Sequence, residues 1–237
     1  APNGRGGTAF REVRALGADA VEFPCIRTEA ISPCPAMEAA LDQLTEYEWL
    51  GFTSAAGVDA FWTCLRDMGK DARALGGVKL AAIGPATGKA LETHGLTADL
   101  IPAVCNAAHM GGALAETAAG RVLLLRAEEG SPALTDALAA AGVPYDDIAV
   151  YRTIYDNPRS LALREELEAG RFDYVTFTSA STVKGFVSAI GEDADFSRFT
   201  GLCIGKQTAG EAEKHHISVK TAGKAAIDAL VELALEK

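Results

Sequence analysis

The feature that most restricts how this chain can fold is an internal repeat. Residues Glu48 to Phe61 (EWLGFTSAAGVDAF) are echoed by Asp173 to Phe186 (DYVTFTSASTVKGF) at an offset of 125, with Phe-Thr-Ser-Ala identical in both. Ile83, Gly84 and Thr87, followed by Glu92 and His94, recur as Ile204, Gly205 and Thr208, followed by Glu213 and His215, at an offset of 121. A weaker match at 125 sets Ala15, Leu16 and Gly17 beside Ala140, Ala141 and Gly142, and Arg27 and Thr28 beside Arg152 and Thr153. The order is kept throughout, so the chain reads as two related halves. Arg121 to Leu125 (RVLLL) has the pattern of a buried strand, and its counterpart at the same offset would fall ahead of Ala1. The repeat therefore expects a first strand that the sequence does not include.

Short β-rich runs alternate with helical ones. Strands are expected near 18–23, 48–53, 78–83, 121–126, 147–155, 173–178 and 201–204, each closed by a polar or glycine-containing turn. Ile227, Leu230, Val231 and Ala234 hold the spacing of one buried helical face near the C-terminus. Near-uniform apolar strands alternating with helices point to an α/β fold of two related lobes, each a parallel sheet flanked by helices. Extended segments around Pro24–Pro35 and Val150–Pro158 are the expected connections between the lobes.

Composition narrows the function. At 237 residues, 49% hydrophobic and 23% charged, the chain is of ordinary globular type. Its formal charge of −10 is the wrong sign for a nucleic-acid footprint. No apolar run approaches the length of a membrane span, and the first residues lack the apolar core of a signal peptide, so a cytoplasmic protein is expected. Five scattered cysteines without a CxxC, and four histidines without ligand spacing, lead to an expectation of reduced thiols and no metal.

Chemistry is expected at four strand-to-helix turns. They comprise Thr53, Ser54 and Ala55; Gly84, Pro85, Ala86 and Thr87; Ser179, Ala180 and Ser181 after Thr178; and Gly205, Lys206, Gln207 and Thr208. The C-terminal edge of a parallel sheet is where open α/β folds bind ligands, and first-turn amides with the helix dipole bind anions. The plainer reading is that each turn merely caps its helix. Gly4, Gly6 and Ala9, with Glu22 downstream, form one weak dinucleotide-like pattern, and its glycines are absent from the aligned positions Glu129, Ser131 and Leu134. Neither GxxxxGK[ST] nor GxSxG occurs, so phosphoryl transfer and hydrolase triads have no support.

Taken in order, Trp49 to Ser54, Ile83 to Thr87, Cys105-Asn106-Ala107, Val150 to Thr153, Phe177 to Ala180, and Ile204, Gly205 and Thr208 make the chain resemble the uroporphyrinogen-III synthases. These cues span nearly its full length. The resemblance implies two α/β lobes joined by a pair of extended strands, here 1–25 with 156–237, and 26–155. It implies a cofactor-independent lyase that cyclises the linear tetrapyrrole hydroxymethylbilane, inverting its last ring and releasing water. Hydroxymethylbilane synthase is then the enzyme expected upstream, and a monomer without nucleic-acid or membrane partners is expected.

The resemblance assigns acid assistance to Tyr151, whose phenol is protonated at neutral pH. The alternative for Tyr151 is an amphipathic strand residue with a wet tip. The four turns, with Asn106, Arg126, Lys206 and also Lys184, are the expected carboxylate binders. A reading from another class, a non-catalytic two-lobed protein that clamps an anionic ligand, predicts saturable binding without turnover.

Overall fold

Four consecutive apolar residues in one strand are stable only where both faces of the sheet are covered, and Val122 to Leu125 are all fully buried. The computed structural model describes residues 13–14, 17–32, 34–155, 160–224 and 226–235. The chain divides into two compact units, 28–153 (the middle unit) and 1–27 with 154–237 (the terminal unit).

The middle unit holds β1 (Arg27–Ala30), α1 (Pro35–Asp42), β2 (Tyr47–Phe52), α2 (Ala55–Asp67), β3 (Lys79–Ala82), α3 (Pro85–Glu92), α4 (Ala107–Thr117), β4 (Arg121–Ala127), α5 (Pro132–Ala140) and β5 (Tyr145–Ile154). The strands form one sheet in the order β1-β5-β4-β2-β3. The ladders β5–β4, β4–β2 and β2–β3 are all parallel. Strand alternation sends Leu50, Phe52, Leu123 and Leu125 into a core with Met37 and Leu41 of α1, Phe61 and Leu65 of α2, and Leu91 of α3. Trp49, Val122 and Leu124 go to the opposite face with Met110 and Leu114 of α4 and Leu134 and Leu138 of α5. Gly51 belongs to that second face: a Cβ there would stand 2.9 Å from Leu124 and 3.2 Å from Met110.

The terminal unit holds α6 (Leu161–Glu168), β6 (Tyr174–Phe177), α7 (Ala180–Ile190), β7 (Thr200–Cys203), α8 (Lys206–Lys214), β8 (Ser218–Thr221) and α9 (Ile227–Leu235). Its described strands form a parallel sheet, β6-β7-β8. One face packs Phe177 and Cys203 against Val183, Phe186, Val187 and Ile190 of α7 and Ala212 of α8. Phe186 is the hub of that core, edge-on to Phe177 at 5.5 Å and to Phe199 at 5.8 Å between ring centres. The other face sets Leu202 against Ala229 and Leu230 of α9.

The α/β reading and the six strands from β2 to β7 stand where the sequence places them. The strand expected at 18–23 does not form; residues 18–26 carry no regular element. A strand needs a neighbour to bond, and among the described residues this segment has no ladder partner. Conversely, β1 and β8 escaped the hydrophobic pattern because both are exposed, polar edge strands. No helix among the described residues is long and apolar enough to cross a membrane.

Candidate functional site

The sequence repeat is a geometric repeat. In the middle unit, β2 leads through Thr53 and Ser54 into α2, and β3 leads through Gly84 into α3; in the terminal unit, β6 leads through Thr178 and Ser179 into α7, and β7 through Gly205 into α8. Phe52 pairs with Ala82, and Phe177 pairs with Cys203, so within each unit both turns lie on one sheet edge.

The first turn of each pair is capped by a serine. Ser54 is extended (φ −165°), and its hydroxyl accepts the Gly57 N–H at 3.0 Å. Ser179 is extended likewise (φ −167°) and accepts from the Thr182 N–H at 3.2 Å, while the Thr182 hydroxyl oxygen accepts the Ser179 N–H at 3.1 Å, a reciprocal capping box. Ser181 adds a 2.9 Å contact to the Ser179 hydroxyl. Gly57 stands where the terminal unit has Thr182 because a Cβ there would lie 3.0 Å from the Leu125 carbonyl.

The second turn of each pair has no side-chain cap. Gly84 (φ −172°) and Gly205 (φ −174°) begin their helices in extended backbone, which leaves first-turn amides to solvent or ligand. Pro85 removes one of those donors in the middle unit; Lys206 at the matching place keeps its N–H and adds a charge. Pro85, Ala86, Lys206 and Gln207 are exposed, whereas Thr87 and Thr208 are both buried.

Asn106 caps α4, its carboxamide oxygen accepting the His109 N–H at 2.9 Å. Cys105 lies against the Gly84 turn, where a Cβ on Gly84 would stand 3.1 Å from its Cβ, so the Asn106 cap and the Gly84 turn are neighbours. Tyr151 pairs with Ala127 at the same edge of the sheet. It is nearly buried, at 9% exposure, and belongs to the apolar cluster that includes Phe52 and Leu125.

Arg126 is placed differently from the expectation of a carboxylate binder. Its guanidinium takes Asp147 in a fork, Nε and Nη2 each at 2.6 Å, and donates Nη1 to the Ser131 carbonyl at 2.5 Å. Gly130 leaves room for this, since a Cβ would sit 2.6 Å from the guanidinium. With the side chain 8% exposed, Arg126 ties β4, β5 and the start of α5 together. Sequence reasoning missed Asp147. The signal was present in the adjacent carboxylates Asp146 and Asp147, which strand alternation turns to opposite faces, each toward an arginine. Asp146 meets Arg121 at 2.9 Å and the Tyr47 hydroxyl at 2.5 Å. Lys184 is exposed on α7. Gly4, Gly6 and Ala9 lie outside the described residues, and Glu22 is exposed on a segment without regular structure.

A family model described as uroporphyrinogen-III synthase HemD matches residues 9–232. The chain belongs to that family. A porphyrin biosynthesis protein HemD from Ruminiclostridium josui is 33% identical over 237 residues, which cover 99% of this chain and 47% of that protein. The chain thus spans about half the length of this curated relative of the HemD family. A uroporphyrinogen-III synthase from Chlorobaculum parvum is 27% identical over 216 residues, covering 88% of this chain and 85% of the relative. Among solved structures, a mutant uroporphyrinogen III synthase from the extremely thermophilic bacterium Thermus thermophilus superposes with a TM-score of 0.67 at 22% identity, covering 98% of this chain and 96% of that one. The synthase from Helicobacter pylori gives 0.62 at 20% identity, covering 92% and 94%. These two likenesses establish a shared fold.

Proposed function

We propose that this chain is a uroporphyrinogen-III synthase: a cofactor-independent lyase that takes hydroxymethylbilane, expels its terminal hydroxyl as water and closes the ring with the last pyrrole inverted. The observation that carries the reading is the duplicated pair of helix starts, one capped and one uncapped, on one sheet edge of each unit. It is joined to a family match over residues 9–232.

The substrate bears an acetate and a propionate on each pyrrole, and the protein carries −10, so net electrostatics oppose association. Local donors have to overcome that repulsion. The amides after Gly84 and Gly205, with Lys206, bind carboxylates at helix starts without requiring a basic surface. The proposed binding residues are Thr53, Ser54, Ala55, Gly84 to Thr87 and Asn106 in the middle unit, and Ser179 to Ser181 and Gly205 to Thr208 in the terminal unit. Arg126 contributes indirectly, by holding the start of α5 against β4.

Chemistry begins when the terminal C–O bond breaks. A proton from solvent joins the departing hydroxyl to form water, the cationic azafulvene left behind is attacked by the substituted carbon of the last ring to give a spiro intermediate, and a proton returns to solvent when the inverted ring regains its aromaticity. That intermediate reopens and recloses with the ring inverted. The uninverted isomer forms spontaneously, so most of the catalytic task is positioning. Tyr151 supplies the remaining assistance by donating its phenolic hydrogen bond to the departing oxygen. A cytoplasmic monomer, receiving its substrate from hydroxymethylbilane synthase, fits this scheme.

Rapid mixing with freshly generated hydroxymethylbilane tests the proposal against simple anion binding. Loss of the open-chain substrate faster than the enzyme-free rate, with many turnovers per protein, is the expected result; saturable binding without faster loss overturns it.

A further inference from the structure

In the middle unit, the loop between β3 and α4 carries a thiol to the uncapped start of α3. Of the five cysteines, all within the described residues, Cys25, Cys34 and Cys203 are buried, Cys64 is half-buried and Cys105 is exposed. Burial pushes the Cys25 and Cys64 thiols up, and that of Cys203 up to about 11, so these three are poor sources of the reactive thiolate. The Cys34 sulfur lies inside, 3.7 Å from the Ala149 carbonyl. The loop that holds Cys105 is anchored on both sides of it. Ile101 packs over Gly88, where a Cβ would stand 3.0 Å from its Cδ1, Pro102 is buried, and the Asn106 N–H closes a turn onto the Val104 carbonyl at 2.9 Å. In that frame the Cys105 sulfur sits 3.2 Å from the place a Cβ would take on Gly84.

The helix start beside that thiol has two open donors. Gly84 supplies no side-chain cap, Pro85 has no N–H, and the Thr87 N–H closes onto the Gly84 carbonyl at 3.1 Å, which leaves the N–H of exposed Ala86 as a first-turn donor without a partner among the described residues. Thr87 is the second. Although the residue is only 4% exposed, its hydroxyl has no hydrogen-bond partner among the described residues. At the same helical position of α7, the Thr182 hydroxyl accepts the Ser179 N–H, so a threonine three places past the cap reaches back over the helix start. A hydroxyl on so buried a residue, left without a partner, marks a place where a ligand can supply one. The terminal unit lacks the thiol: a Cβ on Gly205 would meet nothing within 4 Å.

We propose that Cys105 is a modification site for low-molecular-weight disulfides that carry carboxylates, and that the mixed disulfide formed there closes the α3 start to substrate. A carboxylate of the reagent is drawn to the Ala86 N–H and the Thr87 hydroxyl, which holds its disulfide over the thiol. The Cys105 thiol gives its proton to solvent and its sulfur attacks one sulfur of the reagent. A new S–S bond forms as the reagent's own S–S bond breaks, and the other half leaves with the electron pair as a thiolate that takes a proton from solvent. Cys105 is oxidised and the departing half is reduced, so the exchange needs no further oxidant, and a thiol reductant reverses it. The closure rests on the synthase reading, since a substrate carboxylate is what competes for the same donors; the modification site does not.

The test follows Cys105 modification of the folded chain by mass spectrometry with two reagents, glutathione disulfide, which is anionic, and cystamine, which is cationic. Each rate is divided by that for a free peptide of residues 101–108. The protein's charge of −10 by itself favours cystamine. The normalised rate should nevertheless favour glutathione disulfide by about fivefold in the parent, and most of that preference should be lost in Thr87→Val. Equal normalised rates, a preference for cystamine, a preference untouched by Thr87→Val, or modification of Cys64 ahead of Cys105 overturns the site. For the closure, the chain carrying glutathione on Cys105 should turn over hydroxymethylbilane at about one-tenth of the parent rate or less and recover in dithiothreitol. Cys105→Ser should keep the parent rate with or without the disulfide. Undiminished turnover by the fully modified chain overturns the closure. A parent chain without turnover would sink the synthase reading instead, and the modification rates would still decide the site.

Discussion

At the scale of single residues, the serines that end β2 and β6 are structural caps as well as members of the proposed binding set. Ser179→Ala removes one partner of a reciprocal capping box and should cost about 1–2 kcal/mol of stability in urea unfolding. Ser54→Ala, which loses a single bond, should cost about 1 kcal/mol or less. Asp147→Ala leaves the Arg126 guanidinium inside the protein without its fork, and a loss of about 2–3 kcal/mol is expected, moderated by the partial exposure of Asp147. Burial, and then the hydrogen bond to Asp146, push the Tyr47 phenol up to about 12. The unfolded chain, with an ordinary tyrosine near 10, releases that proton first, so the stability Tyr47 contributes is intact below about pH 10 and lost as pH climbs to about 12. Urea midpoints across that window should fall for the parent and fall less for Tyr47→Phe. The caps were legible in the sequence because Ser and Thr before a helical run have one dominant local use. The commitment of Arg126 was not, because the chain spacing between it and Asp147 says nothing about strands that meet only when β4 pairs with β5.

Among the elements, close helix contacts depend on glycines that carry no signal of their own in the sequence. A Cβ on Gly111 of α4 would lie 2.7 Å from the Leu134 carbonyl and 2.9 Å from the Ala137 Cβ of α5. On Gly185 of α7 it would lie 2.5 Å from the Cys25 carbonyl. Gly111→Ala should therefore destabilise by about 1–3 kcal/mol despite the better helix propensity of alanine. Gly112, on the same helix with open space around it, should tolerate alanine and lose nothing measurable by the same urea assay. The β2, β4 and β6 strands were readable because continuous apolar runs in an α/β chain have few other destinations. The segment 18–23 was misread for a reason that lies outside it: its pattern is that of a strand, but the pairing that would make it one is missing among the described residues. The edge strands β1 and β8 failed in the opposite sense, forming by backbone bonding alone, with side chains that solvent accepts.

For the whole molecule, each unit carries the same strand–turn–helix device, and under the proposed function amide-rich helix starts of this kind are how an acidic protein handles a substrate with an acetate and a propionate on each ring. Because those contacts combine amide dipoles with few charges, binding should weaken only modestly between low and physiological salt; a steep decline would point to a cluster of lysines and arginines instead. Tyr151→Phe keeps the packing of a nearly buried ring and removes only the donor, so turnover should fall by about 10²-fold while the urea midpoint stays close to that of the parent. The duplicated turns were plain from the sequence, and the family resemblance named a substrate for them; that the Arg126 guanidinium is committed to Asp147 and the Ser131 carbonyl had to wait for the structure. The decisive measurement is the isomer composition of the product. The chain is incubated with freshly generated hydroxymethylbilane, the products are oxidised, and porphyrin isomers I and III are separated. Isomer III should predominate; isomer I alone, formed at the enzyme-free rate by a protein shown to be folded, would contradict the account.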